Sequence, residues 1–399
     1  MPVFDARPVG YYQPGPPVTT GDGTLVLTRH ADVLAGTEAE RRGGLSGDRE
    51  TIAAALAAAG MPATVDDLHL LFSFAWTRPP GQEPYVTMMA EMHSYLYTLA
   101  TQAGRDARAV AASLAAVAAV TGRVNIVAFS RALATAVTER LTGMTIADAA
   151  PLTAEVLAAS RRKGLEMFAR EPAAVTEHLR AWVAARRPAG QLADAVITAF
   201  RQDRLSERDM HAVLFGFWAA GSETTAAATA MSFLYLADAG WLAQPELLLP
   251  AHRGWRRAVA EETLRLAAPF TENMLIACRE TELGGVQVEP GQQVGLRWVA
   301  ANRDPAVFTG PDPFEFCPGR PGVRKHLAFG AGLHACAGAA MVRETMDAAL
   351  ETLVPLLPGA ELGGVRMVTG MVDGPAEAVF TLSGNQPRPQ SAGTASTWA

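Results

Sequence analysis

The stretch Phe329–Gly338, FGAGLHACAG, sets three glycines, Gly330, Gly332 and Gly338, around one cysteine, Cys336, directly before the helical run AAMVRETMDAALETLVPLL. Glycine lets a backbone turn sharply and pass close to a flat ligand, because no Cβ intervenes. A cysteine at the mouth of a helix meets unpaired amides and the positive end of the macrodipole, about half an elementary charge. Both favour thiolate over thiol. The pattern therefore predicts a sulfur held as an anion beneath something flat.

Three chemistries suit such a cysteine. It can ligate heme iron, where a thiolate pushes electron density toward O–O cleavage. It can be a small buried hydrophobe, or a catalytic nucleophile. The stretch fits F-G-x-G-x-H-x-C-x-G at every defined position, and so resembles the heme-binding loop of the cytochrome P-450 superfamily. The resemblance implies heme b, with Cys336 as the axial metal ligand and Phe329, Gly330 and Gly338 shaping the loop. It also implies His334 as partner of a heme propionate.

Composition agrees with a large soluble enzyme. With 49% hydrophobic and 19% charged residues, 399 residues can bury a sizeable core. A formal net charge of −6 makes nucleic acid and anionic membranes poor partners. Cys278, Cys317 and Cys336 form neither a disulfide framework nor a CxxC metal site, as expected of reducing cytosol. The N-terminus, MPVFDARPVGYYQPGPP, has no signal-peptide core, and no 18-residue apolar run is present. A cytoplasmic protein like the soluble bacterial members is expected.

Residues 1–24 are rich in proline and glycine and predict an extended arm. LVLTRHADVLAG, from Leu25, reads as a strand leading into a helix, and TIAAALAAAG as a short helix ending at Gly60. FSFAWTRPPGQEPY, Phe72 to Tyr85, reads as an aromatic loop that the resemblance puts over the distal face of the heme. Helical patterns run on to about residue 201, with breaks expected at Gly122, Pro151, Pro172 and Pro188. TELGGVQVEPGQQVGLRWVA predicts strands about a glycine turn. A last strand pair, MVTGMVDG and EAVFTL, would bring Gly370 to Val372 near substrate. The tail 384–399 has the composition of a disordered end.

The longest apolar helix runs from Asp209 to about Ala237, with Gly221-Ser222-Glu223-Thr224-Thr225 at its middle. Buried polar groups need partners, and back-bonding of hydroxyls to the preceding turn is one source. Ala220 to Thr225, AGSETT, also matches A-G-x-[DE]-T-T of the superfamily's central helix. That match implies a local widening for dioxygen, with Glu223 supplying protons and Thr224 orienting the waters that carry them. Gly216, Ala219 and Ala220 are expected to face the iron, with Phe215, Phe217 and Trp218 at the pocket edge or packed outward. Glu262 and Arg265 stand three apart on a helix and share a face. The resemblance makes them a buried pair joined by Arg320, with ANRDPAVF between.

Two propionate arginines of the family pattern are missing. Leu275 stands where one belongs. His93 best fits the histidine that opens the third helix, and then Tyr97 replaces the arginine four residues on. Arg297, inside VGLRWVA, needs a counter-charge if buried, and either it or Tyr97 is a candidate propionate contact.

Together these readings predict a mainly α fold with a smaller β region. A long central helix lies over heme and the cysteine loop beneath, in a single catalytic domain spanning 25–383. The expected activity is a heme-thiolate monooxygenase of bacterial specialised metabolism, hydroxylating a small organic substrate, free or carrier-bound. Oxidative coupling or nitration at the same site, or a non-catalytic partner role, are the alternatives. A ferredoxin and its reductase are the expected electron donors, with Arg343 a candidate docking residue.

Overall fold

Helix α8, Glu207–Asp238, organises the chain because nearly every side chain on it is apolar or small. Such a helix is stable only when covered on all sides. Ser206 caps it by accepting the Asp209 amide hydrogen at 3.1 Å, and Glu207 and Asp209 complement the dipole in the first turn. The computed structural model describes residues 7–58, 64, 68, 85–159, 172–187, 189, 191–244, 252–370 and 372–383.

Helices α1, His30–Arg41, and α2, Arg49–Ala58, belong to the N-terminal lobe. Next come α3, Tyr85–Thr121, α4, Ile126–Thr142, α5, Ile146–Ala159, α6, Ala173–Ala185, and α7, Leu192–Arg201. After α8 stand α9, Arg253–Ala267, the single turn α10, Trp298–Ala301, and α11, Ala339–Leu353. One apolar cluster joins α3 through α8, and a second joins α4, α8, α9 and α11. Phe215, Phe217 and Trp218 all lie in the first cluster, and Trp218 donates its indole N–H to Thr153 at 2.8 Å. Those aromatics therefore pack outward onto neighbouring helices.

Among the described residues there are twelve short strands. β1, Val18–Thr19, β2, Leu25–Leu27, and β3, Leu45–Ser46, come early, and β4, Arg123–Asn125, precedes α4. β5, Asn273–Ala277, β6, Thr281–Leu283, β7, Val286–Val288, and β8, Gln293–Leu296, follow α9. β9, Glu361–Leu362, β10, Arg366–Val368, β11, Gly374–Glu377, and β12, Val379–Thr381, end the described chain. The largest sheet has the order β1-β2-β8-β5-β3, and its β2–β8 pair is parallel, with Leu25 opposite Val294. That pairing closes the beginning of the chain onto its last third. Gly284 and Gly285, at φ 57° and 83°, make the turn of the β6–β7 hairpin.

Some expectations need correction. Pro151 lies inside α5 rather than between helices. A proline there loses one backbone hydrogen bond, while Ala149, Leu152 and Val156 are buried in the helical core and keep the helix whole. His93 lies well inside α3, not at its opening, because that helix begins at Tyr85. The side chain of His93, the loop from Phe72, Gly60, Pro188 and the tail 384–399 lie outside the described residues. The segment before residue 25 contains a 3-10 turn at Val9–Tyr11 and strand β1. No helix among the described residues is long and apolar enough to cross a membrane.

Candidate functional site

Helix α9 ends at Ala267, and the residue that caps it, Ala268, is a non-glycine residue at φ 32° immediately before Pro269. A residue before proline is pushed out of the helical region, so the helix stops with Glu262 and Arg265 in its last two turns. Both are fully buried. Arg265 donates to Glu262 through Nε at 2.8 Å and Nη2 at 2.7 Å, and its Nη1 reaches the carbonyls of Asn302 and Pro313, each at 2.7 Å. Arg320 donates to Glu262 Oε1 at 3.0 Å and to the carbonyls of Asp312 and Glu315 at 3.0 and 2.9 Å. The Cys317 amide also donates to Glu262, at 3.0 Å. Two guanidinium groups thus pin the irregular segment 302–320, which has few backbone partners of its own. This pinned segment leads directly to the cysteine loop.

In that loop Gly330 and Gly332 adopt φ 66° and 73°, the left-handed region that glycine enters without strain. A Cβ at Gly332 would stand 3.3 Å from the Thr37 side chain of α1. The Cys336 amide donates to the Phe329 carbonyl at 2.8 Å, closing the loop. Burial pushes the Cys336 thiol up, against the pull of the Gly338 amide, the Arg343 charge and the Ala339 amide. In the protein alone, desolvation outweighs the amides and the Arg343 charge. A metal ion would reverse this balance, since a coordinating thiol is deprotonated outright. Cys336 is nevertheless exposed. A sulfur deep among protein atoms yet uncovered borders an internal space.

The central helix shows the same signature. α8 is buried along most of its length, but Ala220 is exposed and Thr224, one turn on, is only half-buried. Gly221 packs toward α4, where a Cβ would meet Thr138 Oγ1 at 3.2 Å. Ala219 is buried in the outer helical cluster, so Ala220 and Thr224, not Ala219, carry the open face. The helix runs without interruption through this region. Its hydroxyls back-bond: Ser222 donates to the Trp218 carbonyl at 2.7 Å and Thr224 to that of Ala220 at 2.5 Å. Glu223 faces α4 and pairs with the half-exposed Arg131 at 3.2 Å.

The charged groups expected near propionates have other partners. His334 Nε2 lies 3.3 Å from Oε1 of the buried Glu40 on α1. Arg297 donates to Glu272 at 2.6 Å, and its guanidinium stands 4.0 Å above the Tyr11 ring. Its counter-charge is thus supplied by the protein, through Glu272. Tyr97 is exposed on α3. Arg343 is bound to the buried Glu261 at 2.6 Å, which gives it a structural partner rather than a free docking charge. Glu261 and Glu40 carried no signal in motif spacing. The acid directly beside Glu262 was the available clue.

These residues fit an iron porphyrin. No group of three or more His, Cys, Asp or Glu converges among the described residues, so Cys336 is not part of a multidentate protein cluster. Glycine and alanine surround Cys336 on the loop, and Ala220 and Thr224 form the uncovered face of α8, small residues such as a flat apolar group requires.

Two buried groups give the fold its acid sensitivity. His211 on α8 is pulled down to about 4 by burial, with Arg180 and Arg208 adding and Glu207 opposing. Burial opposes the charge on Glu261, but His326 and Arg343 overcome it and hold the carboxyl at about 2. Both depressed values mean that the unfolded chain binds more protons in acid. Stability should fall between pH 6.5 and about 4 through His211, then further below about 4.5 through Glu261. Urea midpoints measured from pH 7 to 4 check this, and His211→Leu should flatten the upper limb. A midpoint independent of pH between 6.5 and 4.5 would contradict it.

Residues 256–355 match the family model described as Cytochrome P450. The chain is 35% identical over 177 residues to "Putative cytochrome P450 140" of Mycobacterium tuberculosis, covering 44% of this chain and 39% of that protein. It is 33% identical over 181 residues to "Nocardicin C N-oxygenase" of Nocardia uniformis, covering 44% of each. The matched stretch therefore spans less than half the length of these relatives. The fold matches myxobacterial cytochrome P450 CYP267B1 in complex with myristic acid, at TM-score 0.75 and 23% identity, covering 93% of this chain and 94% of that one.

Proposed function

We propose that the chain is a heme-thiolate monooxygenase of the cytochrome P450 superfamily, acting on a small organic substrate. The observation that carries this reading is Cys336, deep in the protein yet uncovered, with the Gly338 and Ala339 amides directed at its sulfur. When bound there, heme b supplies the activation of dioxygen and the insertion of one oxygen atom. Cys336 would ligate the iron, with Phe329, Gly330 and Gly338 forming the loop around the sulfur. His334 remains the candidate contact for a propionate, backed by Glu40.

On the opposite side, the Thr224 hydroxyl hydrogen is committed to the Ala220 carbonyl. Its oxygen is left as an acceptor, able to hold a water in a fixed orientation. Glu223, through Arg131, connects the same turn of α8 to the exposed surface. A carboxylate so placed can pass protons inward while Arg131 restrains its position. Thr224→Ala should therefore lower product formed per electron consumed by on the order of 10²-fold, the low end of what positioned proton transfer contributes. Substrate binding, read from the heme spectrum, should stay unchanged. Equal loss of binding and yield would instead assign Thr224 to the substrate wall.

Relatives in specialised metabolism, nocardicin C N-oxygenase and cyclomarin C epoxidase, support a natural-product intermediate as substrate. A carrier-bound form is supported by the fold neighbour P450BioI, solved with an acyl carrier protein ligated to a fatty acid. Electrons would come from a ferredoxin and its reductase in the cytoplasm. Spin-state screening of free and carrier-bound candidates tests the substrate class. A shift with neither set would favour the non-catalytic partner role.

A further inference from the structure

Glu261 and Glu262 are neighbours on α9, and each holds one end of the segment leading to Cys336. Glu262 grips residues 302–320. Glu261 grips the other end. Its Oε2 accepts from His326 Nε2 at 2.9 Å, and its Oε1 accepts from Arg343 Nε at 2.6 Å. Arg343 Nη2 adds a second bond to Oε2 at 3.1 Å, making the pair bidentate. The Ala328 amide donates to His326 Nδ1 at 3.3 Å, leaving Nε2 to face Glu261. The permanent charges of the cluster are the Glu261 carboxylate and the Arg343 guanidinium.

Both partners of Glu261 touch Phe329, the first residue of the cysteine loop. The Arg343 guanidinium stands 4.6 Å from the Phe329 ring centre, and the His326 ring lies 5.8 Å away, tilted by 49°. Phe329 in turn accepts the Cys336 amide hydrogen. Arg343 also lies on the first two turns of α11, whose N-terminus faces the sulfur. Neither charge belongs to a motif used above.

We propose that Glu261, acting through Arg343 and His326, fixes the Phe329 ring behind Cys336 and sets the reduction potential of the group bound there. The inference rests on heme ligation by Cys336. Glu261, Arg343 and His326 are positioning residues in this arrangement. Reduction adds an electron to the bound group, so a nearby cation favours it and a nearby anion opposes it. Arg343 and Glu261 therefore act with opposite sign, although they are hydrogen-bonded to each other. A purely structural clamp would behave differently. Losing either partner would loosen the same loop, admit water, and move the potential in the same direction.

The test is spectroelectrochemical titration of the heme-loaded protein and three variants. Arg343→Gln should lower the potential by about 59 mV or more, a tenfold change in the one-electron equilibrium. Glu261→Gln should raise it. Arg343→Lys keeps the charge and should recover at least half of what Arg343→Gln loses. Shifts of the same sign in the two Gln variants, changes under twofold in both, or no recovery in Arg343→Lys would overturn the proposal. Arg343 is partly exposed, so its variants remain informative even if Glu261→Gln fails to fold. A wild-type protein without a heme band would instead overturn the cofactor assignment, a distinct result.

Discussion

Glu262→Gln is expected to cost about 3–5 kcal/mol of folding stability, the usual penalty for removing one partner of a buried ion pair. The substitution changes little volume. It removes the charge that faces both Arg265 and Arg320, each with no exposed side-chain surface. Neither guanidinium can turn to water, and each still has only carbonyl acceptors around it. Total stabilities are about 5–15 kcal/mol, so the variant should be largely insoluble or unfold at a much lower denaturant concentration. Because the segment 302–320 would be released, heme retention should fall together with stability. A denaturant midpoint equivalent to a loss under about 1 kcal/mol would show that the pair does not hold the loop.

Cys336→Ser should behave in the opposite manner. Its sulfur is uncovered, and a serine hydroxyl can still accept from the Gly338 and Ala339 amides, so the heme-free protein should keep its stability within about 0.5 kcal/mol, as for surface substitutions. Spectroscopically the change should be complete: the thiolate signature disappears and product formation with it. Purified variants are compared by denaturation without heme and by absorption after heme loading. An unaltered absorption spectrum in Cys336→Ser would remove this residue as ligand. Together the two substitutions separate holding the loop from holding the metal.

The residues legible in the sequence are those whose chemistry is fixed by short spacing. The cysteine loop needed glycine at Gly330 and Gly332 because the chain turns through positive φ there. Glu262 and Arg265 lie three apart on one helix, and the structure pairs them as that spacing allows. The mainly helical architecture followed from the long apolar run of α8, which can be stable only at the centre.

What escaped depends on contacts between distant segments. Arg297 looked like an unpaired cation because Glu272 lies across the pair β5–β8 and Tyr11 comes from the N-terminal arm. Glu40 meets His334 only because α1 packs on the cysteine loop. Pro151 suggested a break, yet burial of its helix outweighed one lost hydrogen bond. Local pattern carries no information about which of these competing interactions dominates.

Axial ligation of heme iron by the Cys336 sulfur is tested most directly by the carbon monoxide difference spectrum of the reduced, purified protein. A thiolate-ligated heme gives its characteristic long-wavelength band, and that band is the predicted result. A colourless protein, or a carbonyl spectrum typical of nitrogen-ligated heme in freshly prepared material, would contradict it.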